Sequence, residues 1–554
     1  MNADADRARP QAWQAAVRRG GPWALLAAAA VVAFYPGLTY DLLQGFDDDV
    51  YVLKNSSRLT WSWANLRHWW TQAHVGNYHP LTMMSYMVDR LLWPSWGPGY
   101  HLQNLFWHVL AVGIFFRLLR AFRLPEGRAL LLALIFCVHP QRVESVVWVA
   151  ERKDVLCAAF YLAAVVAWVV PRQQGLDPRW CVVTLLAVAA LLAKAMAVSL
   201  PFVLLCYEVH RHRGLPTRRY VTRLLPTLAA TLAGMPVAMA AQAGAIRRSP
   251  TLLDRLTVVA HNLWWYVRTA LLPYDLNPSY PRIAVDAALV VELAAVAVVA
   301  AGVGFWLWRR RRDRLYYDVL PAAAAYVVVL APVAGFVPLG AIDHADRYSY
   351  LPSAVLWLGV GLLVVAGVGL WRQRSAASAV TARLRRLLTA AAAVYLVGLM
   401  VAANYHARIW QNMYTLLQTA TAARPANTHA LAAFLDLQVW RREYAAAAEL
   451  AARLEARGAP VLAAAGRGKI LYRAGRKRRA LPHLKAAADH RQRLAPLVAN
   501  NVVIMLSDCL LAQQQQEAAA AWYRRINPAL VTEEFRPAAA RLDRVFAERP
   551  ADSR

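Results

Sequence analysis

The stretch Phe46-Asp47-Asp48-Asp49-Val50-Tyr51 places three consecutive carboxylates directly after the first long apolar segment of the chain. Adjacent carboxylates repel one another, which raises the pKa of at least one of them and favours a shared proton or cation. Such a group suits two kinds of chemistry: removal of a proton from an attacking hydroxyl, and binding of a divalent metal. The run alone also leaves open a solvated acidic turn at a helix end.

The composition around this stretch is that of a membrane protein. Of 554 residues, 59% are hydrophobic and only 17% are charged, which predicts a polytopic membrane protein with a smaller soluble part. The net charge of +29 would suggest nucleic acid in a soluble protein. Here the basic residues form short clusters between apolar segments, the pattern of cytoplasmic loops, so we expect the bilayer as partner and no nucleic acid.

Apolar segments near the length of a membrane-spanning helix, about 20 residues, recur along the first 403 residues. The basic N-terminus followed by an apolar run is interpreted as a retained first span, not a cleaved signal. The predicted spans are 22–43, 102–119, 129–146, 154–170, 180–193, 196–210, 222–241, 287–308, 318–337, 350–371 and 387–403.

The orientation of the chain follows from its basic loops. We interpret the short segments 180–193 and 196–210 as a helical hairpin with Lys194 at its tip, because a single tilted helix would place Arg309–Arg312 outside. The positive-inside rule then predicts a cytoplasmic N-terminus and a periplasmic C-terminus in a bacterial inner membrane. The segment Ser62–Thr71 is interpreted as a short helix lying in the membrane interface or, equally, as part of a plain aromatic belt. The segment 254–272 is predicted to be an amphipathic helix that does not span.

Under this topology, most polar residues that suit chemistry share the outer face. A site for glycosyl transfer from a lipid-phosphate sugar needs a carboxylate base for the acceptor hydroxyl and cations for the departing phosphate. The candidate bases are Asp47 and Asp48, and the candidate phosphate-binding residues are Lys194, Arg347, Arg152 and Arg142. The predicted substrate pocket comprises Asp49, His79, His139, Glu144, Glu151, Asp346 and Tyr348.

Each of these candidates also has a structural interpretation. Lys194 can snorkel to the interface, and Arg347 can pair with a neighbouring aspartate. His79 and His139 each precede proline and mark helix starts. Glu144 and Glu151, seven residues apart on one helix face, can form a buried ion network.

The composition changes near residue 404, where the chain becomes Ala-rich and helical by pattern. We therefore predict a transmembrane domain, 1–403, with a first periplasmic loop at 44–100, followed by a periplasmic helical domain, 404–554. Within the latter, Ala446 and Ala480 recur 34 residues apart, and Ala518 follows after 38, a spacing typical of degenerate tetratricopeptide repeats.

Several ordered motifs together resemble a known family. They are Phe-Asp-Asp-Asp, His79-Pro80-Leu81-Thr82, His139-Pro140-x-Arg142-Val143-Glu144-Ser145-Val146, Trp148 to Leu156, Ala193-Lys194-Ala195-Met196 and Ala345-Asp346-Arg347-Tyr348. With the repeat-like tail, this set resembles bacterial relatives of the transmembrane and tetratricopeptide-repeat O-mannosyltransferases. The resemblance implies an all-α GT-C fold and an inverting enzyme with a polyprenyl- or dolichyl-phosphate sugar donor, often mannose.

The resemblance also implies roles for particular residues. The catalytic aspartate of the first outer loop falls on Asp47 or Asp48, and the phosphate-binding roles fall on Lys194 and Arg347. The acceptor is expected to be a periplasmic protein hydroxyl or a glycan. Three aspartates permit a divalent cation, Mg or Mn, without requiring one. Competing hypotheses are a non-catalytic scaffold that binds periplasmic partners through its repeats, and a transporter or lipid flippase.

Overall fold

The computed structural model describes residues 20–170, 179–243, 251–283, 285–337, 342–374 and 379–547. These residues form helices joined by short turns and contain no β-strand beyond one isolated bridge, between His74 and Asn77. The predicted all-α class is therefore confirmed. The basic N-terminal segment, nearly all of the loop 171–179 and part of 372–386, which entered the topology prediction, lie outside the described residues.

The chain forms two compact units. The first extends to Met413, apart from Ser279–Pro281, and the second contains that short segment and the chain from Tyr414. The division falls ten residues beyond the predicted boundary because the last helix of the first unit continues to Ile409. The helices of the first unit are α1 (Gly20–Thr39), α2 (Trp63–Thr71), α3 (Pro80–Leu92), α4 (Gly97–Ala121), α5 (Glu126–Val138), α6 (Val143–Val147), α7 (Arg152–Val169), α8 (Arg179–Ala193), α9 (Leu200–His212), α10 (Arg218–Gln242), α11 (Leu252–Leu271), α12 (Ala287–Arg309), α13 (Arg314–Leu330), α14 (Tyr350–Arg374) and α15 (Ala379–Ile409).

Seven helices in the described part of the chain are long and apolar enough to cross a membrane: α1, α4, α10, α12, α13, α14 and α15. The pair α5 and α6 adds an eighth if its bent halves count as one span. The remaining predicted spans correspond to the shorter or more charged helices α7, α8 and α9. Helix α11 is not among the spanning helices, as predicted for 254–272. The chain is thus a multi-pass membrane protein, and its spanning helices belong to the first unit.

A break between α5 and α7 positions the central part of the site. Pro140 lacks an N–H and disfavours a helical residue before it, so α5 ends and His139 is extended. The chain then bends by 53° into α6, and a further extended residue, Trp148, precedes α7. Irregular backbone at membrane depth requires partners inside the protein. The carbonyls of 147–149 receive them from α3 and α4: His101 contacts Val147 O at 2.7 Å, Asn104 donates to Trp148 O at 3.1 Å, and Tyr86 donates to Val149 O at 2.9 Å.

Lys194 lies at a second break in the chain. It is extended, between the end of α8 and a 3-10 turn that leads into α9. Helix α8 packs mainly on α7 and α10, whereas α9 packs on α13. The chain therefore breaks at Lys194 as predicted, but the two helices pack on different neighbours instead of forming a tight hairpin.

The second unit is built from successive helices: α16 (Met413–Ala423), α17 (Thr428–Trp440), α18 (Tyr444–Ala456), α19 (Pro460–Arg473), α20 (Lys477–Asp489), α21 (Pro496–Leu511), α22 (Gln516–Tyr523) and α23 (Arg536–Ala547). The turns that end α17, α19 and α21 repeat one geometry, because Arg442, Gly475 and Gln514 all have positive φ angles. Each turn is followed by a buried alanine at the same position: Ala447, Ala480 and Ala519.

This recurrence corrects the predicted register of the repeats. The three turns are 33 and 39 residues apart, from 442 to 475 to 514. The prediction had aligned Ala446 with Ala480, but the buried residue is Ala447, because an alanine-rich helix offers several equivalent positions to a pattern search. The paired helices are compatible with tetratricopeptide-like repeats, and that assignment stays a prediction.

Candidate active site

The polar segments singled out in the sequence converge within the first unit. Asp48 of the acidic loop bonds to the backbone of Ala150, Lys194 forms an ion pair with Asp154, and Arg347 forms one with Glu144. Helix α3 holds two of these segments, since Thr82 donates to Ala193 O at 3.1 Å and Tyr86 donates to Val149 O. Segments separated by up to about 300 residues therefore contribute to one cluster of ionisable side chains.

Asp48 is a buried residue of this cluster that joins two backbone segments. Its side chain is fully buried, and its two carboxylate oxygens accept hydrogen bonds from the backbone N–H groups of Leu43 and Ala150 at 2.9 and 2.8 Å. Burial raises the pKa of Asp48 to about 7, although both N–H groups act to lower it. Because both oxygens are used inside the protein, Asp48 is not oriented to take a proton from an acceptor.

Asp47 occupies a different environment one residue earlier. It is only partly buried, at the start of a helical turn that continues as a π-helix from Asp49. Its pKa is raised, chiefly by burial and also by Glu151, whereas the charges of Lys153 and Arg347 act to lower it. A raised carboxyl pKa beside cations is typical of a general base. Of the two predicted bases, Asp47 is the one whose carboxylate stays partly accessible, and its catalytic role stays a prediction.

The three aspartates do not point to one metal site. Asp49 accepts the N–H of Gly45 at 2.8 Å, and Asp48 is bound to the backbone as described. Within the described residues, no group of three or more His, Cys, Asp and Glu side chains has an arrangement that could hold a metal ion. The predicted metal set of Asp47, Asp48 and Asp49 therefore has no support among the described residues, and a metal requirement stays a prediction. Asp49 is partly buried, as Asp47 is, and its place in the substrate pocket stays a prediction.

Glu151 is the centre of the ion network. Lys153 and Arg347 contact Glu151 Oε1 at 3.0 and 3.2 Å, and Lys194 lies 3.9 Å from Oε2. Burial by itself would raise the pKa of Glu151, but the three cations outweigh it and lower the pKa to about 2. Glu151 therefore stays ionised and positions the cations that surround it. This is the structural role that the sequence left open for it.

Arg347 and Lys194 each have a carboxylate partner and an aromatic neighbour. Glu144 accepts hydrogen bonds from the backbone N–H of Arg347, at 2.9 Å, and from its guanidinium. Lys194 pairs with Asp154, and the ring of Tyr348 lies 5.7 Å from the Lys194 ammonium and 5.0 Å from the Arg347 guanidinium. The two cations keep 14% and 16% of their side chains exposed, so an incoming anion can still reach them.

Two predicted phosphate-binding residues are structural instead. Arg152 is completely buried and bonds to Asp89 at 2.5 Å and to the carbonyl of Tyr100 at 2.8 Å. Arg142 is also completely buried, donates to Ser349 at 2.6 Å and lies over the ring of Tyr350. Neither guanidinium is exposed, so both residues serve the fold in this structure, and a phosphate-binding role for either stays a prediction. The sequence could not show this because Asp89, the partner of Arg152, lies 63 residues earlier.

The remaining predicted pocket residues separate into two groups. His139 caps the turn after it through Gln141 N–H and contacts Ala270 O at 3.1 Å, so both ring nitrogens serve the fold. Asp346 is buried in the 3-10 turn that presents Arg347. By contrast, His79 lines a pocket together with Lys153 and Lys194. Of His139, Asp346 and His79, therefore, His79 is the residue that lines this pocket.

An aromatic stack beside the site was not anticipated from the sequence. Trp148 stacks on Phe46 of the acidic loop, with ring centroids 4.7 Å apart, and on Trp410 at the end of α15, at 5.3 Å. The Arg347 guanidinium lies 5.5 Å from the Trp148 ring. The stack fixes the residue before Asp47 to the buried turn. A tryptophan in an extended break between two helices was the available signal.

Comparison with known proteins gives partial relatives. No family model matches the chain. The chain is 29% identical over 141 residues to Protein O-mannosyl-transferase TMTC3 of Mus musculus, which covers 25% of this chain and 15% of that protein. It is 30% identical over 143 residues to the TMTC3 of Homo sapiens, with the same coverage, and 30% identical over 162 residues to human TMTC4, covering 25% of this chain and 22% of that protein.

A search of solved structures found the crystal structure of ArnT from Cupriavidus metallidurans bound to undecaprenyl phosphate. It is 15% identical, with a TM-score of 0.37, covering 91% of this chain and 74% of ArnT. The sequence matches, in turn, cover less than a quarter of the length of each relative named above. Over the matched quarter of its own length, the chain is similar to the TMTC protein O-mannosyl-transferases.

Proposed function

We propose that the protein is a GT-C membrane glycosyltransferase that moves a sugar from a polyprenyl-phosphate donor to a hydroxyl acceptor. The observation that carries the proposal is the position of Asp47. It is a half-buried carboxylate with a raised pKa, and it lies within the electrostatic reach of Lys153, Glu151 and Arg347. The names of the sequence relatives favour mannose as the sugar and a protein hydroxyl as the acceptor.

The proposed reaction is a direct displacement. Asp47 accepts the proton of the acceptor hydroxyl while the hydroxyl oxygen forms a bond to the anomeric carbon of the sugar. The bond between that carbon and the phosphate oxygen breaks, and its electron pair leaves with the polyprenyl phosphate. A single displacement inverts the configuration at the anomeric carbon.

Lys194 and Arg347 are proposed to stabilise the negative charge that develops on the leaving phosphate. Preorganised cations stabilise a developing anion without reorganising during the reaction. Glu144, Glu151 and Asp154 hold these two cations before the substrate binds. Tyr348 lies against both of them, which fixes their spacing.

The spanning helices support a location at one face of a bacterial inner membrane. The Arg309–Arg312 cluster follows α12, and α14 begins at the site after the intervening span α13. With Arg309–Arg312 in the cytoplasm, as the positive-inside rule predicts, we expect Asp47 and the ion network to lie on the periplasmic side. We propose that the helices of the second unit recruit or orient a periplasmic acceptor.

The test is a transfer assay with full-length protein in nanodiscs. A synthetic polyprenyl phosphate that carries labelled mannose serves as donor, and a periplasmic extract serves as acceptor. The expected result is transfer by the wild type and its loss in Asp47→Asn. Transfer at the wild-type rate by a correctly folded Asp47→Asn variant would refute the proposed base.

A further inference from the structure

The second unit carries far more positive than negative charge, and only part of it is neutralised within the fold. Residues 457–544 contain 16 Lys and Arg against 6 Asp and Glu. Some of these cations have carboxylate partners: Lys469 lies 3.0 Å from Asp436, and Lys477 lies 2.7 Å from Asp508. The excess positive charge therefore belongs to other residues of the unit.

Four arginines follow the ends of α20 and α22. Helices α19 to α22 pack on one another in succession through short turns, so α20 and α22 run in the same direction and end at the same edge of the unit. Within the part of the chain that the structure describes, none of the four arginines forms an ion pair. We call this group, with the tryptophan beside it, the basic edge; it consists of Arg491, Arg493, Arg524, Arg525 and Trp522.

Trp522 brings two of these arginines together. The guanidinium of Arg525 lies 4.5 Å from the centre of the indole ring, and that of Arg491 lies 6.0 Å from the same centre. The ring is partly buried and packs against the core of the unit. Two cations beside one ring repel each other, and an anion that approaches them relieves the repulsion. The packed ring therefore presents a site for carboxylate or phosphate groups that is arranged before binding.

The dipoles of the two helices account for only part of this arrangement. A cation in the last turn of a helix is stabilised by the helix dipole, but the effect falls off outside that turn. Arg491 and Arg493 lie beyond the end of α20, which is Asp489. Asp489 itself also has no ion-pair partner in the described ranges, although cations follow it directly in the chain. The arginines of the edge are therefore not explained by stabilisation of α20.

We propose that the basic edge binds an acidic segment of a partner protein. A guanidinium can donate two parallel hydrogen bonds to one carboxylate, and every cation of the edge is an arginine. Arginine and tryptophan are also the residue types enriched at the energetic centres of protein interfaces. A lipid surface is typically held by aromatic rings that insert among the headgroups, whereas Trp522 is partly buried beside two guanidiniums. These features favour aspartate and glutamate side chains over lipid.

Binding at this edge is independent of glycosyl transfer. An acidic acceptor of the proposed transferase fits the edge, and so does a partner protein that is never glycosylated. The test therefore contains no sugar donor, and it uses full-length protein in nanodiscs of zwitterionic lipid. Loss of transfer in Asp47→Asn and loss of binding at the basic edge are then separate results, so that either proposal can fail alone.

The probe is octaglutamate, and the readout is local. An environment-sensitive dye on Gln492→Cys, between Arg491 and Arg493, reports binding at the edge and not at the basic loops of the first unit. Dye-treated protein without this cysteine gives the background. We expect saturable binding of octaglutamate, weakened about tenfold by Arg491→Gln with Arg525→Gln, because two charge-assisted contacts are lost. Should this double variant not fold, Arg525→Gln alone replaces it, with an expected loss of about threefold.

Arg478→Gln with Arg479→Gln is the matched control. It removes the same charge from the first turn of α20, at the opposite end of a helix about 20 Å long. Both side chains are exposed and form no ion pair within the described residues. We expect this control to bind octaglutamate with an affinity within about twofold of the wild type, because surface charges at that distance are largely screened.

Three results would overturn the proposal. One is equal affinity of the wild type and the Arg491→Gln, Arg525→Gln variant for octaglutamate. Another is an equal loss in this variant and in the control, which would indicate attraction by net charge alone. The third comes from vesicles of phosphatidylglycerol: if they change the dye signal through Arg491 and Arg525 and octaglutamate does not, the edge contacts a membrane and not an acidic polypeptide.

Discussion

Asp48 accepts a hydrogen bond from the backbone N–H of Ala150, 102 residues later in the chain, at 2.8 Å. Through this bond the acidic loop is attached to the buried turn that carries Glu151, the centre of the ion network. The consequence for Asp47 is positional, because its neighbour is fixed while its own carboxylate stays partly accessible. Two adjacent and chemically identical side chains are thereby placed in different environments.

The first prediction is that substitution of Asp48 affects stability, whereas substitution of Asp47 affects transfer. Asp48→Asn should lower the thermal midpoint, because an amide has one acceptor oxygen for two backbone N–H groups, and a buried unsatisfied donor costs about 1–3 kcal/mol. Asp47→Asn should leave the midpoint near that of the wild type and reduce transfer by roughly 10²–10⁴-fold, the contribution of a general base. Both quantities are measured on the same purified preparations.

Asp49→Asn is the control, since within the described residues the Asp49 carboxylate accepts a hydrogen bond from Gly45 N–H alone, at an exposed position. It should change neither the midpoint nor the turnover by much. The assignment of Asp47 as the base and of Asp48 as the residue that stabilises the fold would be reversed if Asp48→Asn lost transfer and Asp47→Asn lost stability.

The second prediction concerns the pH dependence of stability. Burial raises the pKa of Asp48 from 3.8 to about 7, so between these values the folded protein binds a proton that the unfolded chain has released. The stabilising contribution is therefore fully present below about pH 4 and is lost as the pH rises through 7. The difference in thermal midpoint between the wild type and Asp48→Asn should narrow from pH 5 to pH 8. A difference that widens with rising pH would contradict the raised pKa.

The third prediction concerns the buried pair of Arg152 and Asp89. Removing one member of a buried ion pair costs about 3–5 kcal/mol, because the other charge is left without a partner. Arg152→Leu alone should therefore reduce stability strongly, and addition of Asp89→Leu should recover much of the loss. The measurement is the thermal midpoint of the two single variants and the double variant.

The comparison residue is Lys194, which keeps part of its side chain exposed. Lys194→Gln should raise the KM for the donor and leave the thermal midpoint near that of the wild type. If Arg152→Leu instead raised the KM and left the protein stable, Arg152 would belong to the donor site as the sequence had suggested.

The sequence predicts the all-helical class, most spanning helices and the segments that converge at the site. The apolar segments and basic loops predict the helical class and the spanning helices, and the polar motifs predict the segments that converge at the site. The sequence does not show that Lys194 stays partly exposed while Arg152 is fully buried. That difference depends on where the carboxylate partners Asp154 and Asp89 lie in the fold, which the sequence does not reveal. Nor does it separate Asp47 from Asp48, since the difference is set by two backbone N–H groups of distant residues.

The last prediction tests whether Glu144 acts through Arg347. Glu144 holds Arg347 by two hydrogen bonds, from the backbone N–H at 2.9 Å and from the guanidinium, while Glu151 lies 3.2 Å from Arg347 Nε. Arg347→Lys should therefore lose transfer, because the single ammonium of lysine cannot contact both carboxylates as the planar guanidinium does. Glu144→Gln should reduce kcat by about tenfold through a loosened guanidinium, a loss of roughly 1.4 kcal/mol in transition-state stabilisation.

A double-mutant cycle of Glu144→Gln and Arg347→Ala provides the decisive measurement for this prediction. If Glu144 only positions Arg347, the double variant should be no slower than Arg347→Ala, because a positioning residue has no effect once the residue that it positions is gone. The KM for the donor should follow Arg347 and be insensitive to Glu144 in the Arg347→Ala background. Effects on kcat that simply add would show that Glu144 contacts the reacting groups independently of Arg347.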